Sequence, residues 1–147
     1  MNTRLDLSQI HTGLILPEMR KKIVQEDINL YAQASRDFNP IHIDEEFAKK
    51  TPLGGTVAHG MLILAYMSQM MTVNFAENWL TGGSLNVRFK APARPGDVIT
   101  VSGTIEKIQD EPAQLIVSCD VLCANQKGEA VITGQAIVRI KKNENLS

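Results

Sequence analysis

Four segments in the second half of the chain alternate apolar and polar residues with a period of two. This pattern predicts strands that each bury one face. The four segments are residues 83–90, 99–106, 115–123 and 130–140. The first places Leu85, Val87 and Phe89 on one face. Short turns join the segments, among them the run Arg94-Pro95-Gly96-Asp97, so we expect an antiparallel meander.

The first half of the chain predicts a different set of elements. The pattern favours a short strand near residues 20–24 and a helix over residues 26–35. Because a proline forces the residue before it out of the helical region, Pro40 is expected to stop this helix. Asp37 is then expected at the helix end or in the loop that follows. A second short helix is predicted over residues 44–50, with an aspartate as its N-cap.

A long apolar helix is predicted over residues 59–75. Residues 61–67 are apolar without a break, so this helix is expected to be covered on every side. One buried helix followed by antiparallel strands predicts an α+β fold in which the sheet wraps around the helix. No segment has the composition of a linker, so we expect a single domain over residues 1–147, with a polar tail at about 142–147.

Composition and charge exclude several classes of function. The 147 residues are 44% hydrophobic and include 15 basic and 16 acidic side chains. A net charge of −1 supplies no basic stripe for a nucleic acid. No apolar run approaches the roughly 20 residues of a membrane span. Cys119 and Cys123 form no CxxC pair and no signal peptide is recognisable, so we expect buried thiols in a cytoplasmic protein.

The densest polar cluster lies at residues 35–44 and contains Asp37 and His42. A carboxylate and an imidazole five residues apart suit a general acid–base pair. The same spacing also suits two surface residues or a local hydrogen bond. Pro40 fixes the backbone between them, and the flanking isoleucines Ile41 and Ile43 are expected to hold the loop against apolar surface.

A second candidate site is the run Ala58-His59-Gly60-Met61, where the long helix is predicted to begin. A helix N-terminus offers unpaired backbone N–H groups and a partial positive charge, and glycine allows a ligand to approach closely. This run is therefore a candidate anion site. In the alternative, Gly60 only relieves crowding at the helix entrance and His59 only caps the helix.

Together these motifs resemble the MaoC-like, or R-specific enoyl-CoA hydratase, family of the hotdog superfamily. The resemblance is carried by Asp37-x-Asn39-Pro40-x-His42, then Phe47-Ala48, then His59-Gly60-Met61, and by the turn at Pro95-Gly96-Asp97. It implies a hotdog fold, commonly a homodimer whose sheets join edge to edge. It also implies a substrate that is an acyl thioester of coenzyme A or of acyl carrier protein.

The resemblance implies a role for each matching residue. Asp37 and His42 would be the catalytic acid–base pair, and the Gly60 N–H would bind the thioester oxygen. His59 would belong to the same substrate-binding end of the helix, and Asn39 would orient the pair.

Two further positions bear on the resemblance. Ser68 falls where a hydratase of the family has a serine near its active site, although a serine on a buried helix can equally bond its own backbone. The family signature usually has glycine directly before the aspartate, whereas this chain has Arg36. The substitution bears on substrate preference more than on reaction type.

The implied activity is reversible hydration of trans-2-enoyl-CoA to (R)-3-hydroxyacyl-CoA, which needs no metal or redox cofactor. The alternatives are a dehydratase acting on acyl carrier protein, an acyl-CoA thioesterase and a non-catalytic subunit that binds acyl thioesters. Sequence shows no acid beside His59-Gly60, which counts against hydrolysis. The intact pair Asp37 and His42 counts against a non-catalytic role.

Two residue groups have two open interpretations each. Four methionines of the long helix either pack the core or line an acyl tunnel: Met61, Met67, Met70 and Met71. Three cations either meet the phosphates of coenzyme A or form a solvated strand face: Arg88, Lys90 and Arg94.

Overall fold

The structure, a computed structural model, describes residues 5–142. The strands are β1 (Met19–Lys22), β2 (Ser84–Phe89), β3 (Val98–Asp110), β4 (Gln114–Ala124) and β5 (Ala130–Lys141). The helices are α1 (Gln25–Ser35), α2 (Pro40–Ile43), α3 (Glu45–Lys49), α4 (Gly60–Phe75) and α5 (Glu77–Gly82), preceded by a 3-10 turn at Leu7–Gln9. The predicted polar tail lies outside the described residues, apart from Lys142.

The five strands form one antiparallel sheet in the order β1-β3-β4-β5-β2. The predicted meander is confirmed for β3, β4 and β5, which are consecutive neighbours. The strand predicted over residues 83–90 is β2. It pairs with β5 and not with β3, and it forms one edge of the sheet. Alternate residues of β4 are buried as predicted, with Val117, Cys119 and Cys123 fully inaccessible.

Helix α4 lies across the inner face of the sheet and contacts β3, β4 and β5. Met67, Met70 and Met71 are 0% exposed, so these three methionines pack the core. Met61 is 55% exposed, because the sheet covers only one side of the helix. The expectation that α4 is buried on every side is therefore wrong for a single chain. Within residues 5–142, no helix is long and apolar enough to cross a bilayer.

The loop after α1 takes its shape from three local features. Arg36 adopts a left-handed conformation with φ of 64° directly after the last helical residue. The helix thus ends before Pro40, which instead occupies the first turn of α2, where its fixed φ suits a helix start. The side chain of Asn39 caps α2 by accepting a hydrogen bond from the Ile41 N–H at 3.2 Å. Pro40 starts a helix here rather than stopping one.

The segment that leads into α4 is tied to α2 and α3. Asp44 is the N-cap of α3, as predicted. The neighbouring Glu45 accepts a hydrogen bond from the Thr56 N–H at 3.0 Å. One residue later, the Val57 N–H donates to the Ile41 carbonyl at 3.1 Å. These bonds bring the two candidate motifs together, although about 20 residues separate them in sequence.

Candidate active site

Asp37 and His42 face each other at the junction of α1, α2 and α4. The distance from His42 Nε2 to Asp37 Oδ2 is 3.9 Å. His42 Nδ1 lies 2.7 Å from the Val57 carbonyl oxygen. A carbonyl only accepts, so Nδ1 carries a proton and the neutral ring keeps Nε2 as an acceptor. The 3.9 Å gap exceeds a direct hydrogen bond and leaves both groups in reach of one bridging water.

His59 contacts both members of this pair. Its ring stacks on His42 with the centroids 3.8 Å apart and an interplanar angle of 25°. Its Nε2 donates to the Asp37 carbonyl oxygen at 3.0 Å. The Tyr31 ring also packs against it, at 4.8 Å between centroids. At 2% exposure His59 is more buried than the residues it supports, so it holds the pair in place from within.

The same three residues are the only cluster of possible metal ligands found within residues 5–142. One ligand atom each from Asp37, His42 and His59 lies within 4.8 Å of the others. Ring nitrogens bind metals along lone pairs that lie in the ring plane. Because the two imidazoles are stacked, these lone pairs run nearly parallel and do not converge on one ion. The geometry suits proton transfer better than metal binding.

Gly60 is the first residue of α4, and its N–H finds no acceptor among the described residues. An added Cβ at Gly60 would lie 2.9 Å from Cε1 of Phe89, so the phenyl ring rests directly on the glycine. A free N–H at the positive end of a 16-residue helix is suited to a developing negative charge. Gly60 follows His59 directly, which places this donor beside Asp37 and His42.

Asn39 supports Asp37 through its backbone. Its N–H donates to Asp37 Oδ1 at 3.2 Å, while its side chain caps α2.

Ser68 lies further along α4, away from Asp37 and His42. It is eight residues beyond Gly60, about 12 Å along the helix axis. Its Oγ accepts a hydrogen bond from the Trp79 indole N–H at 2.9 Å. Within one chain the structure gathers all the predicted site residues except Ser68.

Gln25, which was not predicted from the sequence, braces the site from the start of α1. Its Nε2 donates to the His42 carbonyl at 2.7 Å, and its Oε1 accepts from the Thr56 hydroxyl at 2.8 Å. One side chain therefore joins α1, α2 and the segment before α4. No local pattern marks such a residue, because its partners are 17 and 31 positions away.

The electrostatics around the site include one shifted carboxyl group. The hydrogen bond from the Thr56 N–H lowers the pKa of Glu45, with a smaller contribution from the Thr56 side chain. Lys49 and Arg94 lower the same pKa further, whereas burial acts in the opposite direction. Glu45 is thus held ionised where it tethers the segment before His59.

Comparisons with known proteins agree with this geometry. Residues 8–119 match a family model described as MaoC like domain. A 3-hydroxybutyryl-CoA dehydratase of Methylorubrum extorquens is 29% identical over 126 residues, which cover 86% of this chain and 78% of the relative. An (R)-specific enoyl-CoA hydratase of Rhodospirillum rubrum is 31% identical over 122 residues, 83% of each chain.

The similarity to these relatives in sequence is accompanied by a similarity in fold to a solved structure. The crystal structure of a MaoC-like dehydratase from Rhodospirillum rubrum superposes with a TM-score of 0.80 at 26% identity, covering 95% of this chain and 98% of that one. The hotdog fold expected from the motifs is thereby confirmed. With a family model that spans well over half of its length, the chain belongs to the MaoC-like domain family.

Proposed function

We propose that the protein is a lyase that adds water reversibly to a trans-2-enoyl-CoA and forms an (R)-3-hydroxyacyl-CoA. The observation that carries the proposal is the 3.9 Å separation between His42 Nε2 and Asp37 Oδ2, beside the free N–H of Gly60. The names of the hydratase and dehydratase relatives support the same class of reaction.

The proposed reaction starts with one water held between Asp37 and His42. The pair removes a proton from this water while its oxygen bonds to the β-carbon of the enoyl thioester. Electron density moves to the thioester oxygen, which the Gly60 N–H stabilises. The pair then returns a proton to the α-carbon on the same face. General acid–base help of this kind contributes about 10²–10⁴ in rate.

Ser68 belongs to the proposal as a contact to the acyl part of the substrate, further along α4. The Trp79 N–H occupies its oxygen, so the hydroxyl hydrogen is left to donate. Its side chain is half-buried, which suits contact with a bound chain.

Dehydration of a 3-hydroxyacyl thioester, on coenzyme A or acyl carrier protein, uses the same groups in reverse. Thioester hydrolysis is the competing reaction class. The expectation that no acid lies near the start of α4 is wrong, because a carboxylate oxygen of Asp37 lies within 4.8 Å of a ring nitrogen of His59. An intact carboxylate in this position makes a direct assay for hydrolysis necessary.

The deciding experiment follows the ultraviolet absorbance of crotonyl-CoA with purified protein, with chiral analysis of the product and a free-thiol assay in parallel. We expect loss of the enoyl absorbance, an (R)-3-hydroxy product and no free thiol. Release of thiol would place the protein among thioesterases. If neither signal changes with crotonyl-CoA or with longer and carrier-protein-bound substrates, the non-catalytic alternative gains support.

We also propose a cytoplasmic homodimer joined along β2. In the described chain β2 pairs only with β5, so its outer edge is open. Met61 and Phe89, each 55% exposed, add apolar surface on the same side of the site. Light scattering should give a molar mass of twice the 16.2 kDa of one chain.

For the cytoplasmic location, the support is that both cysteines are free and buried, which agrees with a reducing compartment.

A further inference from the structure

The ring of His59 is held in one orientation against His42. The two imidazoles stack with their centroids 3.8 Å apart and their planes 25° from parallel. The Tyr31 ring packs on His59 at 4.8 Å, tilted by 58°, and the Asp37 carbonyl accepts the hydrogen bond from His59 Nε2. At 2% exposure, the His59 side chain has almost no contact with solvent. His59 therefore presents a fixed ring face to His42.

One nitrogen of the His59 ring has no partner. A carbonyl only accepts hydrogen bonds, so the proton of the neutral ring lies on Nε2, which faces the Asp37 carbonyl, and Nδ1 is a bare acceptor. Nδ1 is buried, and no hydrogen-bond partner for it lies among residues 5–142. A second proton on this ring would find no acceptor inside the described part of the protein. His59 is thus poorly placed to take a proton from a water molecule.

His42, in contrast, has acceptors for two protons. Its Nδ1 donates to the Val57 carbonyl at 2.7 Å, and its Nε2 faces the Asp37 carboxylate at 3.9 Å. A proton taken up at Nε2 turns the ring into a cation whose two N–H groups both point at oxygen. The face of an aromatic ring attracts a cation that lies within about 6 Å of its centroid. The ring of His59, at 3.8 Å, is well inside this distance.

We propose that His59 is a positioning residue whose ring face stabilises the positive charge that forms on His42 during proton transfer. The inference rests on the proposed function and deepens it, because it assigns to His42 the proton that leaves the water. This proton passes to His42 Nε2 while the water oxygen bonds to the β-carbon and the electron pair of the double bond moves towards the thioester. Delivery of a proton to the α-carbon returns the His42 ring to its neutral form, and His59 keeps its own proton throughout.

The test separates the ring face of His59 from its hydrogen bond. His59→Gln keeps an N–H for the Asp37 carbonyl and removes the ring, whereas His59→Phe keeps an aromatic face and removes the N–H. We expect His59→Gln to lower kcat for crotonyl-CoA roughly tenfold and to leave KM within about twofold, since the charge exists only during the reaction. His59→Phe should recover most of this loss. The matched control is the same change at an exposed histidine, His11→Gln, which should leave both constants within about twofold.

A double-mutant cycle shows whether His59 acts through His42. In a His42→Gln background there is no imidazole to become charged, so His59→Gln should lower kcat by less than about twofold. A tenfold loss that persists in this background would overturn the proposal, because it would mean that His59 only holds the backbone at Asp37. A folded His59→Phe, with an unchanged melting temperature, that is as slow as His59→Gln would overturn it as well. If His59→Phe does not fold, the cycle decides alone.

The outcomes also separate this inference from the proposed reaction. If crotonyl-CoA is hydrated and the cycle shows no coupling, the reaction stands and the role of His59 fails. If the protein releases thiol instead, the proposed reaction fails. The same cycle on hydrolysis then tests His59, because His42 would there also take a proton from water. If the unaltered protein converts neither coenzyme A thioesters nor carrier-protein thioesters, both fail.

Discussion

Backbone groups hold the side chains of Asp37 and His42, the proposed acid–base pair. The Asn39 N–H fixes one oxygen of Asp37, and the Val57 carbonyl fixes Nδ1 of His42. The two atoms that face each other across the gap, Asp37 Oδ2 and His42 Nε2, take no part in these two hydrogen bonds. Substitutions that change only the outer atoms therefore test the chemistry without disturbing the loops.

We predict that Asp37→Asn and His42→Gln each lower kcat/KM for crotonyl-CoA by about 10²–10⁴, the usual contribution of a general acid or base. Both replacements keep the size of the side chain, and asparagine keeps the oxygen that accepts from Asn39. The melting temperature of each variant should stay close to that of the unaltered protein. Losses below about tenfold in both variants would contradict the assigned roles.

Arg36 is the residue at which this chain departs from the family pattern, and its backbone explains why glycine is usual there. A φ of 64° is unfavourable for a residue with a side chain. The departure thus concerns the path of the backbone at the end of α1, one residue before Asp37. No hydrogen bond or ion pair to the Arg36 side chain is found within residues 5–142.

We predict that Arg36→Gly raises the free energy of unfolding by about 0.5–1 kcal/mol. Relief of the left-handed strain, about 1–2 kcal/mol, outweighs the greater flexibility that glycine gives the unfolded chain. Urea denaturation measures the change. Arg36→Ala is the control, because it removes the same side chain and keeps the Cβ. Equal effects of the two variants would show that strain is not the cause.

At the scale of elements, the contact between β2 and the start of α4 couples the sheet to the Gly60 N–H, the proposed oxyanion donor. Gly60 and Phe89 touch so closely that no side chain fits between them. Because Phe89 is 55% exposed, its ring has room to turn outward. A side chain at Gly60 would therefore move the ring instead of breaking the helix.

We predict that Gly60→Ala leaves the melting temperature nearly unchanged and lowers kcat/KM roughly tenfold. Alanine favours the helix, and the backbone N–H is kept, so the loss comes from the displaced ring at the thioester site. A double-mutant cycle checks this cause. In a Phe89→Ala background, Gly60→Ala should cost less than about threefold, and a full tenfold loss there would refute the explanation.

The elements that can be predicted from the sequence are those along which a pattern repeats. The four strands were predicted because a half-buried strand must alternate, although β3 continues to Asp110 past a bulge between Ile105 and Lys107 that breaks its pattern. Helices α2 and α5 were missed because four and six residues are too few to show a helical period, whereas α3, with five residues, was predicted from its N-cap Asp44.

The candidate site was predicted in part. The positions Asp37, His42 and Gly60 could be singled out from the sequence because each belongs to a short local motif. The stacking of His59 on His42 and the brace formed by Gln25 depend on the packing of separate elements. Contacts of this kind leave no trace in the local order of residues.

At the scale of the whole molecule, the two cysteines sit in the core of the sheet. Burial raises the pKa of Cys119 to about 12, with a further contribution from Asp120. Burial alone raises the pKa of Cys123 to about 12. Both thiols are thus neutral in the folded protein under ordinary conditions and ionise more easily once the chain unfolds.

We predict that the free energy of unfolding falls as the pH rises from about 9 towards 12. The unfolded thiols lose protons in this range while the folded ones keep them, which favours the unfolded state. Denaturation at pH 8 and pH 10 measures the fall. In Cys119→Ala/Cys123→Ala the fall should be smaller. An unchanged pH dependence in this double variant would contradict the prediction.

The two histidines of the site share a feature with an evolutionary consequence. Each ring is oriented by a main-chain carbonyl, that of Val57 for His42 and that of Asp37 for His59. A point mutation can delete a side chain, but no mutation deletes a carbonyl. Any residue that fills the buried site of Val57 and keeps the path of the loop therefore retains the carbonyl that orients His42, whereas replacement of either imidazole removes the contact itself.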